Sequence, residues 1–391
     1  MRSHLLANLP RRLAAVAAAS SAASALTMSF TASSSNAQTA NANLTPVRVV
    51  TYNILSPELA PPSHFIECQP QHLEPNVRFE KVKHALEPHI ADGAIICLQE
   101  VSQAWAGLLT PFFEAYEYTL VTGLYGKRFN GYMGVALAWP HSRFKSERVD
   151  ITRLADTLEL PKKEKPPTDL WSSTSRIARS GWCAVRGWFG YVSPREFDPW
   201  AEAARRFNII LSTDLICRKS GRHFCVSTYH MPCLFGSDEK VQVMNIHAAL
   251  AVDHVENFAQ GHPYIIAGDF NIQPDSSPYE LITKGSLPSG HAQLPPALEN
   301  LKWNVQPTVA LISAYASQDG EPELTNLAVT KFSGNDQFCG TLDYIFLSPG
   351  WNVKRVKPLP SKSELGVRSL PSESQPSDHL LIYADLEQPT E

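Results

Sequence analysis

The chain has 391 residues and a net charge of −4, from 34 basic and 38 acidic side chains. A hydrophobic fraction of 43% is enough to build a core, which excludes a mainly disordered chain. No run of about 18 apolar residues escapes polar interruption, so no membrane-spanning helix is expected, and the mild acidity argues against coating nucleic acid by bulk charge.

Residues 1–45 are low in complexity and rich in Ala and Ser. Arg2, Arg11, Arg12 and Arg48 all precede the first acidic residue, Glu58. An acid-free, Arg- and Ser-rich start has the composition of a mitochondrial or plastid transit peptide. A secretory signal cleaved after the small residues 35–37, or a plain tail on a cytoplasmic protein, are the alternatives. Residues 46–391 are read as one domain.

Short apolar runs alternate with helical patterns from residue 48 onward. RVVTYNI (48–54) reads as a strand ending at Asn53. A helix is expected over 76–90, because Phe79, Val82, Leu86 and Ile90 share one face. The run 94–99 is a continuous apolar strand, followed directly by Glu100. Further strands are expected at 134–139, 207–217, 224–231, 264–270, 342–348 and 380–386. Between two of them, Met244, Ala248, Ala251, Val255 and Phe258 recur at helical spacing, which predicts an amphipathic helix over 240–260. The fold class is α/β, with helices flanking sheets. The segment 150–206 breaks this rhythm with a Pro/Lys run and Trp171, Trp182, Trp188 and Trp200, and reads as a long functional loop. The seven cysteines form no CxxC pair, and Cys97, Cys217 and Cys225 are expected to be small buried hydrophobes.

Polar residues recur at the ends of these apolar strands: Asn53, Glu100, His230, Asp269 with Asn271, Asp343, and Asp378 with His379. A carboxylate beside a buried strand is costly unless it is paired or binds a metal. Hard oxygen donors such as Glu100 and Asp269 favour Mg²⁺ or Mn²⁺ over zinc. Such a set suits attack of water on a phosphodiester, with the metal neutralising phosphate charge. Asp269 and Asn271, at i and i+2, are expected to point to the same side of a strand. Asp343 can orient His379 and raise its basicity. His230 can donate to the pentacovalent phosphate.

The ordered strings TYNIL, CLQEV, GDFN, LDYIF and SDH resemble the endonuclease–exonuclease–phosphatase superfamily, from about residue 46 to 388. TYNILSPELA (51–60), GDFNIQPDSSPYELITKG (268–285), TLDYIFLS (341–348) and LPSESQPSDH (370–379) are similar to its deadenylase-like branch of deadenylases, nocturnin, Angel and 2',5'-phosphodiesterase. The resemblance implies a four-layer α/β sandwich, with two packed mixed β-sheets flanked by helices and the site at one edge. It implies that Asn53 orients the site and the scissile phosphate. Glu100 is then the principal metal ligand, with Asp269, Asn271 and Asp378 on the metal side. Asp269 also orients or deprotonates water, Asp343 and His379 form a dyad, and His230 serves the transition state. Phe338, five residues before Asp343, occupies the place of a ring that stacks on adenine; a core role is its alternative. Phe235 stands where relatives place a base-packing proline, and Arg78, in an ArgPhe pair, is expected among the substrate-binding residues. Where many relatives carry a glutamate supporting the histidine, this chain has Tyr125 and Lys127.

The resulting expectation is a Mg²⁺-dependent phosphodiesterase (Mn²⁺ as the alternative ion) acting on RNA or an adenosine-rich oligonucleotide, either a 3′ end or a 2′,5′-linked oligoadenylate. No preference for DNA and no membrane partner is expected. The alternatives are a phosphatase on a small nucleotide such as NADP and an inactive RNA- or protein-binding scaffold.

Overall fold

The computed structural model describes residues 46–159, 197–298, 301–334 and 336–389. The leader, Trp171, Trp182 and Trp188 lie outside the described residues. The described residues belong to one compact unit.

Fourteen strands are described: β1 (Val47–Asn53), β2 (Ile95–Val101), β3 (Tyr118–Leu124), β4 (Gly134–Pro140), β5 (Phe144–Arg153), β6 (Ile209–Cys217), β7 (His223–His230), β8 (Tyr264–Asp269), β9 (Ile312–Ser313), β10 (Asn326–Ala328), β11 (Phe338–Gly340), β12 (Asp343–Leu347), β13 (Asn352–Val356) and β14 (Ile382–Glu387). The described α-helices are α1 (Pro70–Leu73), α2 (Pro75–Ala91), α3 (Gln103–Glu114), α4 (Pro199–Ala203), α5 (Asp238–Ala259), α6 (Ser277–Lys284) and α7 (Lys362–Leu365).

One six-stranded sheet runs β13-β14-β1-β2-β4-β3 and another β5-β6-β7-β8-β12-β9, with β10-β11 as a separate ribbon. Both large sheets are mixed: β1 is parallel to β2 and β7 to β8, while the remaining pairs are antiparallel. Strand residues alternate between faces, and this alternation builds three cores. Val49, Cys97, Leu137, Leu211, Val226, Ile265, Ile345 and Ala384 pack between the sheets. Val50, Ile96, Leu98 and Ala138 face Phe79, Val82, Leu86 and Ile90 of α2. Cys225, Ile266 and Phe346 face Met244, Ala248, Val255 and Phe258 of α5. The layers are therefore helix, sheet, sheet, helix, as the family resemblance implied.

The segment 150–206 is not one loop. Residues up to Arg153 continue β5, whose register with β6 runs to Arg153↔Ile209. Trp200 is buried in α4, where its indole donates to the Pro296 carbonyl at 2.8 Å and meets Trp303 edge-on. That tryptophan serves the core. Cys97, Cys217 and Cys225 are buried free thiols, as expected.

Candidate active site

The parallel pairs β1/β2 and β7/β8 end at the same edge of the sandwich. Asn53 stands opposite Gln99, and His230 stands opposite Asp269. The antiparallel strand β12 begins there, with Asp343 opposite Asp269. Topology alone therefore gathers residues separated by nearly 300 positions in sequence.

Asn53 is fully buried, and its amide bridges two carboxylates, at 3.1 Å from Glu100 Oε1 and 2.9 Å from Asp269 Oδ2. Its own Oδ1 accepts the Leu55 N–H at 3.0 Å, which locks the amide's orientation. The other Glu100 oxygen accepts the Ser56 N–H at 3.0 Å. Glu100 sits where the β2/β4 register shifts, and it has a φ of 57°. A bulge there turns the side chain away from strict strand alternation and toward the site. A positive φ at a non-glycine residue costs free energy, and such strain concentrates at functional sites.

Asp269 and Asn271 do not share a strand face. The strand ends at Asp269, and Asn271 has a φ of 53°. Phe270 is drawn into the core against Tyr344 and Phe346, so the chain must turn. The two residues meet through the turn itself, where the Asn271 N–H donates to Asp269 Oδ1 at 2.9 Å. The Asn271 amide also donates to the Met231 carbonyl at 3.0 Å.

His379 Nδ1 lies 2.8 Å from Asp343 Oδ2, which also accepts the Thr325 hydroxyl at 2.6 Å. Burial opposes charge on His379, but Asp343, Asp269 and Asp378 outweigh it and raise the imidazole well above its ordinary pKa. Burial likewise raises the Asp343 carboxyl, against the pull of the His379 charge. Asp378 accepts from the Asn326 amide at 3.2 Å.

His230 is 6% exposed, and its Nε2 is 3.6 Å from Asp269 Oδ2. Its Nδ1 is 3.1 Å from the Tyr125 hydroxyl. Burial, reinforced by Glu100 and Asp269, pushes the Tyr125 phenol far above its ordinary pKa, and Asn208 hydrogen-bonds to it. A neutral phenol both donates and accepts, so this contact fixes the orientation of the His230 ring. Tyr125 is thus the side chain that holds the His230 ring from behind.

Arg78 does not line the site. It is fully buried beneath it, donating from Nε to the Pro376 carbonyl at 2.6 Å and from Nη2 to the Ile54 carbonyl at 2.7 Å and to that of Leu55. Those carbonyls belong to the loop after Asn53 and the loop before Asp378, so Arg78 ties the two together. Burial lowers its pKa to about 10, while Asp378, Tyr52 and Glu100 act against that. It is an internal counter-charge, and substrate cannot reach it. Phe338 is half-buried in β11. A Cβ added to Gly340 would sit 3.3 Å from both Phe338 Cζ and Gln273 Nε2, so the ring leans toward the loop that carries Asn271. Phe235 is 73% exposed in the loop after β7.

The residues present fit a metal ion. Asp269, Asp343 and His379 each place a ligand atom within 4.8 Å of the others. Asp343 Oδ1 is buried without a hydrogen-bond partner among the described residues. Glu100 lies outside that group of three and is tied to Asp269 through the shared Asn53 amide. Thr325 and Asn326, which hold Asp343 and Asp378, have no motif that marks them in sequence.

A four-layer sandwich with this constellation at its edge defines a phosphoesterase-type fold. The Endonuclease/Exonuclease/phosphatase family matches residues 50–379, and the chain belongs to that family. It is 28% identical over 353 residues to human 2',5'-phosphodiesterase 12, covering 87% of this chain and 51% of that protein. It is 24% identical over 347 residues to human nocturnin, covering 87% of this chain and 65% of that protein. The chain thus spans about half to two-thirds of the length of these relatives. Among solved structures, it is similar to ANGEL2, a 2',3'-cyclic phosphatase, in complex with adenosine-2',3'-vanadate, with a TM-score of 0.63 and 19% identity over 88% of this chain and 96% of that one. The human nocturnin catalytic domain with bound sulfate gives a TM-score of 0.55 and 20% identity over 89% of this chain and 96% of that one. These likenesses establish the fold.

Proposed function

We propose that the chain is a Mg²⁺-dependent phosphodiesterase that hydrolyses adenosine-ended oligonucleotides, either 3′ ends of RNA or 2′,5′-linked oligoadenylate. The observation that carries this reading is the bridge from Asn53 to both Glu100 and Asp269, with His230 and His379 each 3.6 Å from Asp269 Oδ2. The names of the 2',5'-phosphodiesterase and nocturnin relatives support it.

Glu100, Asp269, Asn271 and Asp378 supply oxygen donors suited to Mg²⁺ or Mn²⁺. When bound, the ion neutralises phosphate charge and stabilises the leaving oxygen. Asp269 orients the attacking water and takes its proton. Asn53 holds Asp269 and Glu100 at a fixed separation. His379, oriented by Asp343, and His230, held by Tyr125, both face Asp269 Oδ2 and supply ring N–H donors for the phosphate. Charge developing on phosphate thus meets donors that are already oriented. Phe338 gives a terminal base a ring to stack on.

The test is a panel of poly(A), mixed RNA, 2′,5′-oligoadenylate, DNA and NADP, each with Mg²⁺ and with chelator. Full turnover in chelator would overturn the hydrolase mechanism. Turnover of NADP alone would replace the substrate reading by a nucleotide phosphatase, and binding without turnover would leave a scaffold. The composition of residues 1–45 further supports import into a mitochondrion or plastid. A fluorescent fusion of that leader that stays cytosolic would refute it.

A further inference from the structure

Strand β7 has chemistry at both ends. His230 belongs to the active site, and His223 begins the strand at the opposite edge of the sheet. In the β6/β7 ladder, Asp214 stands opposite Cys225. In the parallel β7/β8 ladder, Cys225 stands opposite Tyr264. His223 precedes Cys225 by two residues and His262 precedes Tyr264 by two, so parallel pairing brings the two histidines level. Helix α5 ends just before, at Ala259, and the next two residues, Gln260 and Gly261, both have positive φ and turn the chain into His262.

Asp214, His223 and His262 each place a ligand atom within 4.8 Å of the others. The imidazole rings of His223 and His262 stack, with centroids 4.8 Å apart. Asp214 is 7% exposed, and its Oδ1 lies 3.4 Å from His223 Nδ1. Both of these atoms are buried, yet neither makes a hydrogen bond among the described residues. Arg148, opposite Asp214 in the β5/β6 ladder, offers no relief, because its guanidinium covers the Phe258 ring and donates to the Phe258 carbonyl. A buried carboxylate oxygen left without a donor is costly. Here a neighbouring imidazole nitrogen is left in the same condition, and a cation between them would satisfy both.

We infer that Asp214, His223 and His262 form a second metal site, for a divalent transition ion of the zinc class, at the opposite edge of the sheet from the active site. Bonds of about 2.1 Å at tetrahedral angles put neighbouring donors about 3.4 Å apart, which the Asp214–His223 pair already satisfies. His262 reaches the same ion by a side-chain rotation that opens the ring stack, from a turn that is half-buried. Two imidazoles and one carboxylate select zinc-class ions over Mg²⁺, which prefers oxygen donors alone. The partial exposure of both histidines leaves the fourth position to water. An ion there would pin the turn after α5 to the β6–β7 hairpin and so stabilise the start of β8, whose other end carries Asp269.

The experiment uses the full chain stripped of metal and titrated with ZnCl₂ or CoCl₂. The expected result is a zinc equivalent and a visible Co²⁺ absorption band that persist in Glu100→Gln and vanish in the double variant His223→Gln, His262→Gln. Loss of the ligands should weaken zinc binding by at least the roughly 100-fold that losing an outer-shell partner can cost. Zinc should raise the melting temperature of the parent chain but not of the double variant. Retained Mg²⁺-dependent hydrolysis shows that the double variant is folded. If it does not fold, His262→Asn alone, in the turn, makes the same test. The inference is overturned if the parent holds no zinc or cobalt at micromolar concentrations. It is equally overturned if the histidine variants bind as the parent does, or if the equivalent disappears only in Glu100→Gln.

Discussion

The two ends of β7 differ in what they gather. The His230 end draws side chains from both sheets, and its donors are mostly oxygens: Glu100, Asp269, Asp343 and Asp378. Asp269 and Asp343 are almost fully buried there, and the buried Arg78 offsets part of the negative charge. The backbone is held at positive φ at Leu55, Glu100 and Asn271. The His223 end draws on one sheet only, with two imidazoles, one carboxylate and a helix cap. The two ends of one strand thus differ in donor chemistry, oxygens at one and mainly imidazole at the other.

The largest expected effect breaks the carboxylate end. Glu100→Ala or Asp269→Ala should lower turnover by about a thousandfold or more, with a nearly unchanged melting temperature. Substantial activity in either variant would refute the assignment of that end as catalytic.

Between the two ends, Tyr229 of β7 hydrogen-bonds at 3.0 Å to His247 Nδ1, and His247 Nε2 faces the Ala203 carbonyl at 3.2 Å. Burial lowers the His247 pKa from 6.5 to about 4. The unfolded chain therefore binds the extra proton first as acid is added. Stability is fully present above pH 6.5 and is lost as pH falls toward about 4. The loss is on the order of 3 kcal/mol. Urea unfolding across this window should show that slope, and His247→Gln should flatten it. An unaltered slope would show that the titrating group lies elsewhere.

Phe338→Ala should weaken adenosine-ended substrates by about 1–3 kcal/mol while sparing a chromogenic phosphodiester. Equal losses on both, accompanied by a lowered melting temperature, would identify the ring as packing. Phe235→Ala should add a smaller loss of base preference.

The smallest effect sharpens the role of His230. Tyr125→Phe should reduce kcat by about tenfold, equivalent to about 1.4 kcal/mol, with KM unchanged. A fall in KM-dependent binding or in melting temperature alone would make Tyr125 a structural residue only.

Much of the candidate site was legible in sequence because each residue closes an apolar strand. Asn53, Glu100, His230, Asp269 and Asp343 all follow or begin such runs, and burial makes a polar residue there informative. The helices 75–91 and 238–259 were legible from apolar spacing alone. The strand Phe144–Arg153 was not, because its outer residues are charged and partly exposed, so its pattern merges with the Pro/Lys run. Arg78 was misread because an arginine near a motif gives no sign of which way it points. Only the closed fold shows it beneath the Asn53 and Asp378 loops.

The sequence by itself determined the α/β layering, the family and the strand-end residues, since these depend on local periodicity and short contiguous strings. The tertiary structure alone decided that Tyr125 supports His230, that Thr325 holds Asp343 and that Asp214, His223 and His262 meet. Each depends on strand register and on the turn of a helix cap, which bring distant positions level through hydrogen-bonded pairing that no local pattern encodes.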